Sequence, residues 1–102
     1  MCINFPNRES ARHIGTALIE KQLAACVNII PEVESIYQWK GEVKTEIEVM
    51  AIVKTTASRY KQLEAYVLEN HPYDVPEVIG LPLSQGSESY LNWVQDQMEG
   101  HH

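Results

Sequence analysis

Apolar side chains recur along this chain with two different periods, and the switches between those periods lay out its elements. Residues 2–5, Cys-Ile-Asn-Phe, read as a short strand. Pro6 and Asn7 stop it, and Asn7 is placed to cap a helix starting at Arg8. From Arg8 to Gln22 the apolar residues Ala11, Ile14, Ala17, Leu18 and Ile19 fall at helical spacing, which predicts one buried stripe. Cys26 to Ile30 is apolar and β-branched and predicts a strand. Pro31 has no N–H to give to a ladder and marks a bulge or a sheet edge. Val33, Ser35, Tyr37 and Trp39 then share one face up to a turn at Gly41, so a hairpin follows. Its second strand is the clearest in the chain. Ile47, Val49, Ala51 and Val53 lie on one face, and Glu46, Glu48, Met50, Ile52 and Lys54 on the other. A second helix, capped by Thr56 or Ser58, carries Tyr60, Leu63 and Val67 as its stripe and ends before Pro72. Residues 77–83, flanked and interrupted by Pro76 and Pro82, predict a last edge strand. A short C-terminal helix capped by Ser87 follows.

The order βαββαβ plus a helix predicts an α+β fold, a ferredoxin-like sandwich with an extra C-terminal helix. Its outer strands are the second and the fourth, the two that carry prolines here. Residues 1–98 form a single domain in this reading, and residues 99–102 read as a tail derived from a purification tag, so His101 and His102 are set aside. One feature exceeds what the fold requires. Two helices cover one face of such a sheet, yet Met50, Ile52, Cys26 and Ile30 make the other face apolar as well. An apolar face left bare marks an interface, so the pattern predicts a homo-oligomer. The alternative is that the C-terminal helix folds across it.

Charge and cysteine content narrow the partners. A formal charge of −6, from 14 acidic and 8 basic side chains, argues against nucleic acid and against an anionic membrane surface. Two cysteines are too few for a disulfide framework and suit a reducing compartment. The chain has no Gly-rich phosphate loop and no nucleophile elbow, so it does not read as an enzyme.

The stretches "EKQLAACVNIIP", "ESIYQWKGEV", "EVMAIVKTT", "NHPYDVPEVIGLPL" and "SYLNWV", in that order from about residue 4 to 97, together resemble the CutA divalent-cation tolerance family. The resemblance implies a ferredoxin-like subunit in a tight homotrimer, similar in assembly to the PII-type signalling trimers that bind small ligands between subunits. It implies a cytoplasmic protein of divalent metal tolerance, linked to copper. The metal ion or small ligand would sit in clefts between subunits, with copper(II) or another divalent cation as the cofactor. A scaffolding or PII-like signalling trimer with no direct metal role is the alternative. In some family members copper is assigned to a first-strand cysteine and two consecutive histidines before the Pro-Tyr. Here His71 matches one histidine, Asn70 replaces the other, and Ile3 stands at the cysteine's place, with Cys2 next to it on the opposite face.

His71 is therefore the candidate metal ligand, and capping of the helix C-terminus is its structural alternative. Tyr73, Asp74 and Glu77, on a turn stiffened by Pro72 and Pro76, are candidates for lining the cleft. Lys54 either pairs with Glu77 or meets an anionic ligand. Cys26 reads as packing rather than chemistry. Tyr37, Trp39, Met50 and Ile52 are the candidate trimer-interface residues.

Overall fold

Two amphipathic helices pack against one face of a four-stranded antiparallel sheet, because only that face carries an unbroken apolar stripe on the two central strands. The computed structural model describes residues 1–99. The elements are β1 Cys2–Phe5, α1 Arg8–Glu20, β2 Cys26–Trp39, β3 Glu42–Lys54, a 3₁₀ turn Ala57–Arg59, α2 Tyr60–Asn70, β4 Val78–Ile79 and α3 Glu88–Glu99. The strand order is β2-β3-β1-β4, with every pair antiparallel. This is the ferredoxin-like α+β sandwich with its extra helix, and β2 and β4 are at the edges. Of the four residues read as a tail, Glu99 closes α3, and 100–102 lie outside the described residues.

The core joins Ile3 and Phe5 of β1 and Val49, Ala51 and Val53 of β3 to Ala11, Ile14 and Leu18 of α1 and Leu63 and Val67 of α2. Asn7 caps α1 as its position predicts: its backbone is extended and its Oδ1 accepts from Ser10 N at 2.8 Å. Asn7→Ala is expected to cost about 1 kcal/mol, read from the midpoint of denaturant unfolding.

Pro31 does what its missing N–H predicts: β2 is one edge strand of 14 residues, and a bulge between Ile30 and Val33 absorbs the proline without ending the ladder. That bulge also flips the parity, so Cys26, Asn28 and Ile30 share a face with Val33, Ser35, Tyr37 and Trp39. Two other local expectations change. The second helix begins as a 3₁₀ turn. Thr56 and Ser58 bond each other at 3.1 Å and make no side-chain cap. Ile47 lies on the core side of β3 but is exposed, because the β2–β3 hairpin runs past the ends of both helices. That arm stretches the molecule to 47 × 27 × 22 Å and leaves Ile36, Ile47 and Val43 bare on one side and Trp39 and Tyr37 half-exposed on the other. It closes at Lys40 and Gly41, both with positive φ (51° and 82°), the paired left-handed turn that matches the twist of a two-residue hairpin.

The C-terminal helix docks by its far end. Met98 is buried, its sulfur accepts from Thr55 Oγ1 and its carbonyl from Arg59, so α3 sits beside the end of β3 and the start of α2. Ile30 and Ile79 on the open face stay exposed, and Met50 and Ile52 stay half-buried.

Candidate ligand site on the open sheet face

The face turned away from the helices is apolar at one end and polar at the other. Cys2, Met50, Ile52 and Ile79 cluster where β1, β3 and β4 pair, since Cys2 stands between Ile52 and Ile79 in register. Further along β3, the same parity brings up Glu48 and then Glu46. Glu48 is only 8% exposed and Asn4, from the neighbouring β1, only 6%. Burying a carboxylate among apolar residues requires partners for both oxygens, and the chain supplies two. Asn4 Nδ2 donates to Glu48 Oε1 at 3.3 Å, and the Tyr73 hydroxyl donates to Oε2 at 2.8 Å. Beside this pair the Tyr37 hydroxyl donates to Glu46 Oε1 at 2.5 Å. Both carboxylates are thus held by uncharged donors. Among the described residues, Asn4 Oδ1 is the buried side-chain polar atom left without a hydrogen-bond partner.

His71 positions Tyr73. It follows the last residue of α2 in extended conformation, and its own N–H closes the helix on Val67 O at 2.8 Å. The Tyr73 N–H donates to Nδ1 at 3.0 Å, which puts the ring proton on Nε2, and Nε2 donates to the Asn4 carbonyl at 2.6 Å. The ring stacks on Phe5 with centroids 4.8 Å apart. Burial holds its pKa below the ordinary 6.5, against the raising effects of the Asn4 carbonyl and the Glu48 charge. His71 is therefore neutral here, with both nitrogens engaged, and a metal ion at Nδ1 would have to displace the Tyr73 N–H. Burial, the bond to Glu48 and the charges of Glu48 and Glu46 push the Tyr73 phenol far above its usual value. The bond to Glu46, first, and then burial raise that of Tyr37. Both phenols stay protonated donors.

The other residues singled out in the sequence fall into separate places. Asp74 and Glu77 are exposed on the turn that carries Tyr73. Lys54 donates to Asn28 Oδ1 on the adjacent strand and makes no pair with Glu77. It stands four residues beyond Met50 along β3, about 13 Å at strand spacing, so one chain does not bring it to the turn. Tyr37 lies beside the site, and Trp39 projects further out along the hairpin. Met50 and Ile52 occupy the apolar end of the same face. Cys26 is half-buried, with its thiol 3.8 Å from Asn28 Oδ1. Cys2 and Ile3 point to opposite faces, and Ile3 is fully buried. Among the described residues no group of three or more His, Cys, Asp and Glu side chains is placed to hold a metal ion.

Asn4 and Glu48 escaped the sequence reading as site residues. Their contact joins positions 44 apart, which no local spacing reveals. The one signal was a charge on the strand face that also carries Met50 and Ile52.

The chain matches the model of the CutA1 divalent ion tolerance protein family over residues 1–97. It is 44% identical over 94 residues to the chloroplastic protein CutA of Arabidopsis thaliana, a match covering 92% of this chain and 52% of that protein. The chain thus spans about half the length of that curated relative. Among solved structures it resembles a divalent cation tolerance protein (Cut A1) from Thermus thermophilus. There the TM-score is 0.88 and the identity 46%, with 91% of this chain and 90% of that one covered. It also resembles the periplasmic divalent cation tolerance protein CutA of Archaeoglobus fulgidus, with a TM-score of 0.92 and 32% identity over 95% of this chain and 94% of that one.

Proposed function

This chain belongs to the CutA1 divalent ion tolerance family, and from that premise we propose that it serves divalent-cation tolerance as a homotrimer that binds a metal ion or small ligand in clefts between its subunits. The observation that carries the reading is the open sheet face. A bare apolar end of Cys2, Met50, Ile52 and Ile79 adjoins a buried polar end with an unused acceptor, Asn4 Oδ1. An apolar patch beside a polar pocket is what an intersubunit cleft needs: one part seals, the other recognises. The turn that carries Tyr73, Asp74 and Glu77 forms one wall with Tyr37 of the same chain beside it, and Trp39 and Lys54 meet it from other subunits. The chain acts as a binding module, with no reaction assigned to it. Two free cysteines favour a reducing compartment, the cytoplasm, although one relative is named chloroplastic and one similar structure periplasmic.

Copper(II) is the cation to test first, and His71 its proposed ligand, reached when the Tyr73 N–H gives up Nδ1. Titration calorimetry with Cu(II) on protein freed of His101 and His102 is expected to show stoichiometric binding that His71→Ala abolishes. Binding unchanged in that variant removes His71 as a ligand. No binding of Cu(II) or Mn(II) favours the second reading, a scaffolding or PII-like signalling trimer with no direct metal role. The engagement of both His71 nitrogens supports that second reading.

A further inference from the structure

The geometry points to a site for a primary ammonium group on the open face, formed by Glu48 and the unpartnered amide oxygen of Asn4, with Glu46 further along the face and Tyr73 and Tyr37 as flanks. It extends the reading of this face as a ligand cleft and rests on it.

Three features converge on that chemistry. First, the free atom is an acceptor. The Asn4 amide cannot be reversed, because that would set its oxygen against Glu48 Oε1 in place of the donating Nδ2. A buried acceptor left unsatisfied calls for an N–H or O–H donor. Second, the direct hydrogen-bond partners of the two carboxylates are neutral. Asn4 and Tyr73 hold Glu48, and Tyr37 holds Glu46, and none of the three is cationic. Glu46 and Glu48 lie on one face of β3, about 7 Å apart along the strand, a span that one cation between them can serve. Third, the flanks are aromatic. Tyr37 and Tyr73 bond the two carboxylates, and Trp39 continues the face outward, so an alkyl stem behind the cation has rings to lie against.

A metal ion fits less well. Two carboxylates and one amide fall short of a full donor set, and both Glu48 oxygens already accept from neutral groups. A primary ammonium has N–H donors for Asn4 Oδ1 and a Glu48 oxygen, while Glu46, two residues further along β3, adds negative charge to the same face. Asn4 Oδ1 is closed to solvent in this arrangement. The ligand reaches it as the Tyr73 hydroxyl swings off Glu48 and the ammonium takes over that hydrogen bond. The ammonium has two natural sources: a free small amine, or a lysine of a second copy, whose hairpin tip carries the exposed Lys40 and Lys44.

Calorimetry on the tag-free full chain with n-propylammonium chloride tests the site. It uses the wild type and a Lys40→Met/Lys44→Met double variant. Binding to both identifies a free-amine site; binding to the double variant alone identifies a site filled by a neighbour's lysine. Either supports the ammonium chemistry, provided Glu48→Gln weakens it about tenfold or more, the loss expected for a charged hydrogen bond. No binding to either protein overturns the site. So does equal affinity for tetramethylammonium, which has no N–H for Asn4, a comparison that needs no variant to fold. Tyr73→Phe frees Glu48 and is expected to bind propylammonium at least as tightly as the wild type; weaker binding contradicts the exchange. A response to Cu(II) or Mn(II) with none to propylammonium overturns this site and leaves the metal reading intact, and the converse does the opposite.

Discussion

His71→Ala is expected to lower folding stability by about 3 kcal/mol, more than a surface substitution usually costs. The ring does three things at once. Its Nε2–H satisfies the Asn4 carbonyl, its Nδ1 satisfies the Tyr73 N–H, and its face covers Phe5. Alanine leaves two backbone groups without partners, at about 1–3 kcal/mol for each that stays buried, and opens a cavity against a core aromatic. Denaturant midpoints compared at one protein concentration measure the loss, since association shifts apparent stability. The sign of the pH dependence follows from the same contacts. Burial lowers the folded-state pKa of His71 below the ordinary 6.5, so the unfolded chain binds the extra proton first as pH falls. The contribution of His71 is fully present above about pH 6.5 and declines below it, towards the lowered folded value. The wild type and His71→Ala are therefore expected to converge in stability on acidification. A difference that stays constant between pH 7 and pH 5 contradicts the neutral, doubly bonded imidazole.

Ile52→Lys is expected to break the assembly while sparing the fold of each chain. Ile52 stands between Cys2 and Asn28 at the centre of the open face, half-buried in an isolated chain. A lysine there can extend its ammonium into water if the face is bare. Packed against a second copy, it would bury a charge without a partner, a cost of several kcal/mol for each subunit. Sedimentation or light scattering of the variant, beside a far-ultraviolet spectrum to confirm folding, distinguishes the two. A lone protomer with native secondary structure is the predicted outcome. An unchanged mass places Ile52 outside any interface.

How much of this was legible in the sequence depends on the range of the interaction. The alternation of β3, the helical stripe of α1 and the Asn7 cap are local patterns, and the structure follows them because each satisfies its own backbone and buries its own stripe. Ile47 follows the parity but not the burial: how far a hairpin outruns its helices depends on helix length, which strand alternation does not encode. Pro31 is legible too: a residue that cannot donate to a ladder implies a bulge or an edge, and it lies at a bulge in the edge strand β2. Of the two roles open to Lys54, pairing with Glu77 fails on register. Their strands lie on either side of β1, and the antiparallel offsets set the two residues at opposite ends. In the candidate site, the motif around His71 and Tyr73 is legible as a turn, but the cation expected at the helix C-terminus is a neutral ring bonded to the Asn4 carbonyl and the Tyr73 N–H, and the backbone N–H of His71 closes the helix instead. The motif's buried partners Asn4 and Glu48 come from two other strands and have no motif of their own.

Light scattering of the unmodified chain at micromolar concentration tests the account most directly, because the candidate site and the proposed cleft both depend on the open face being covered by other copies. The predicted molar mass is three times the chain's 11.6 kDa. A mass of 11.6 kDa, that of a single chain with its apolar face in water, would contradict it.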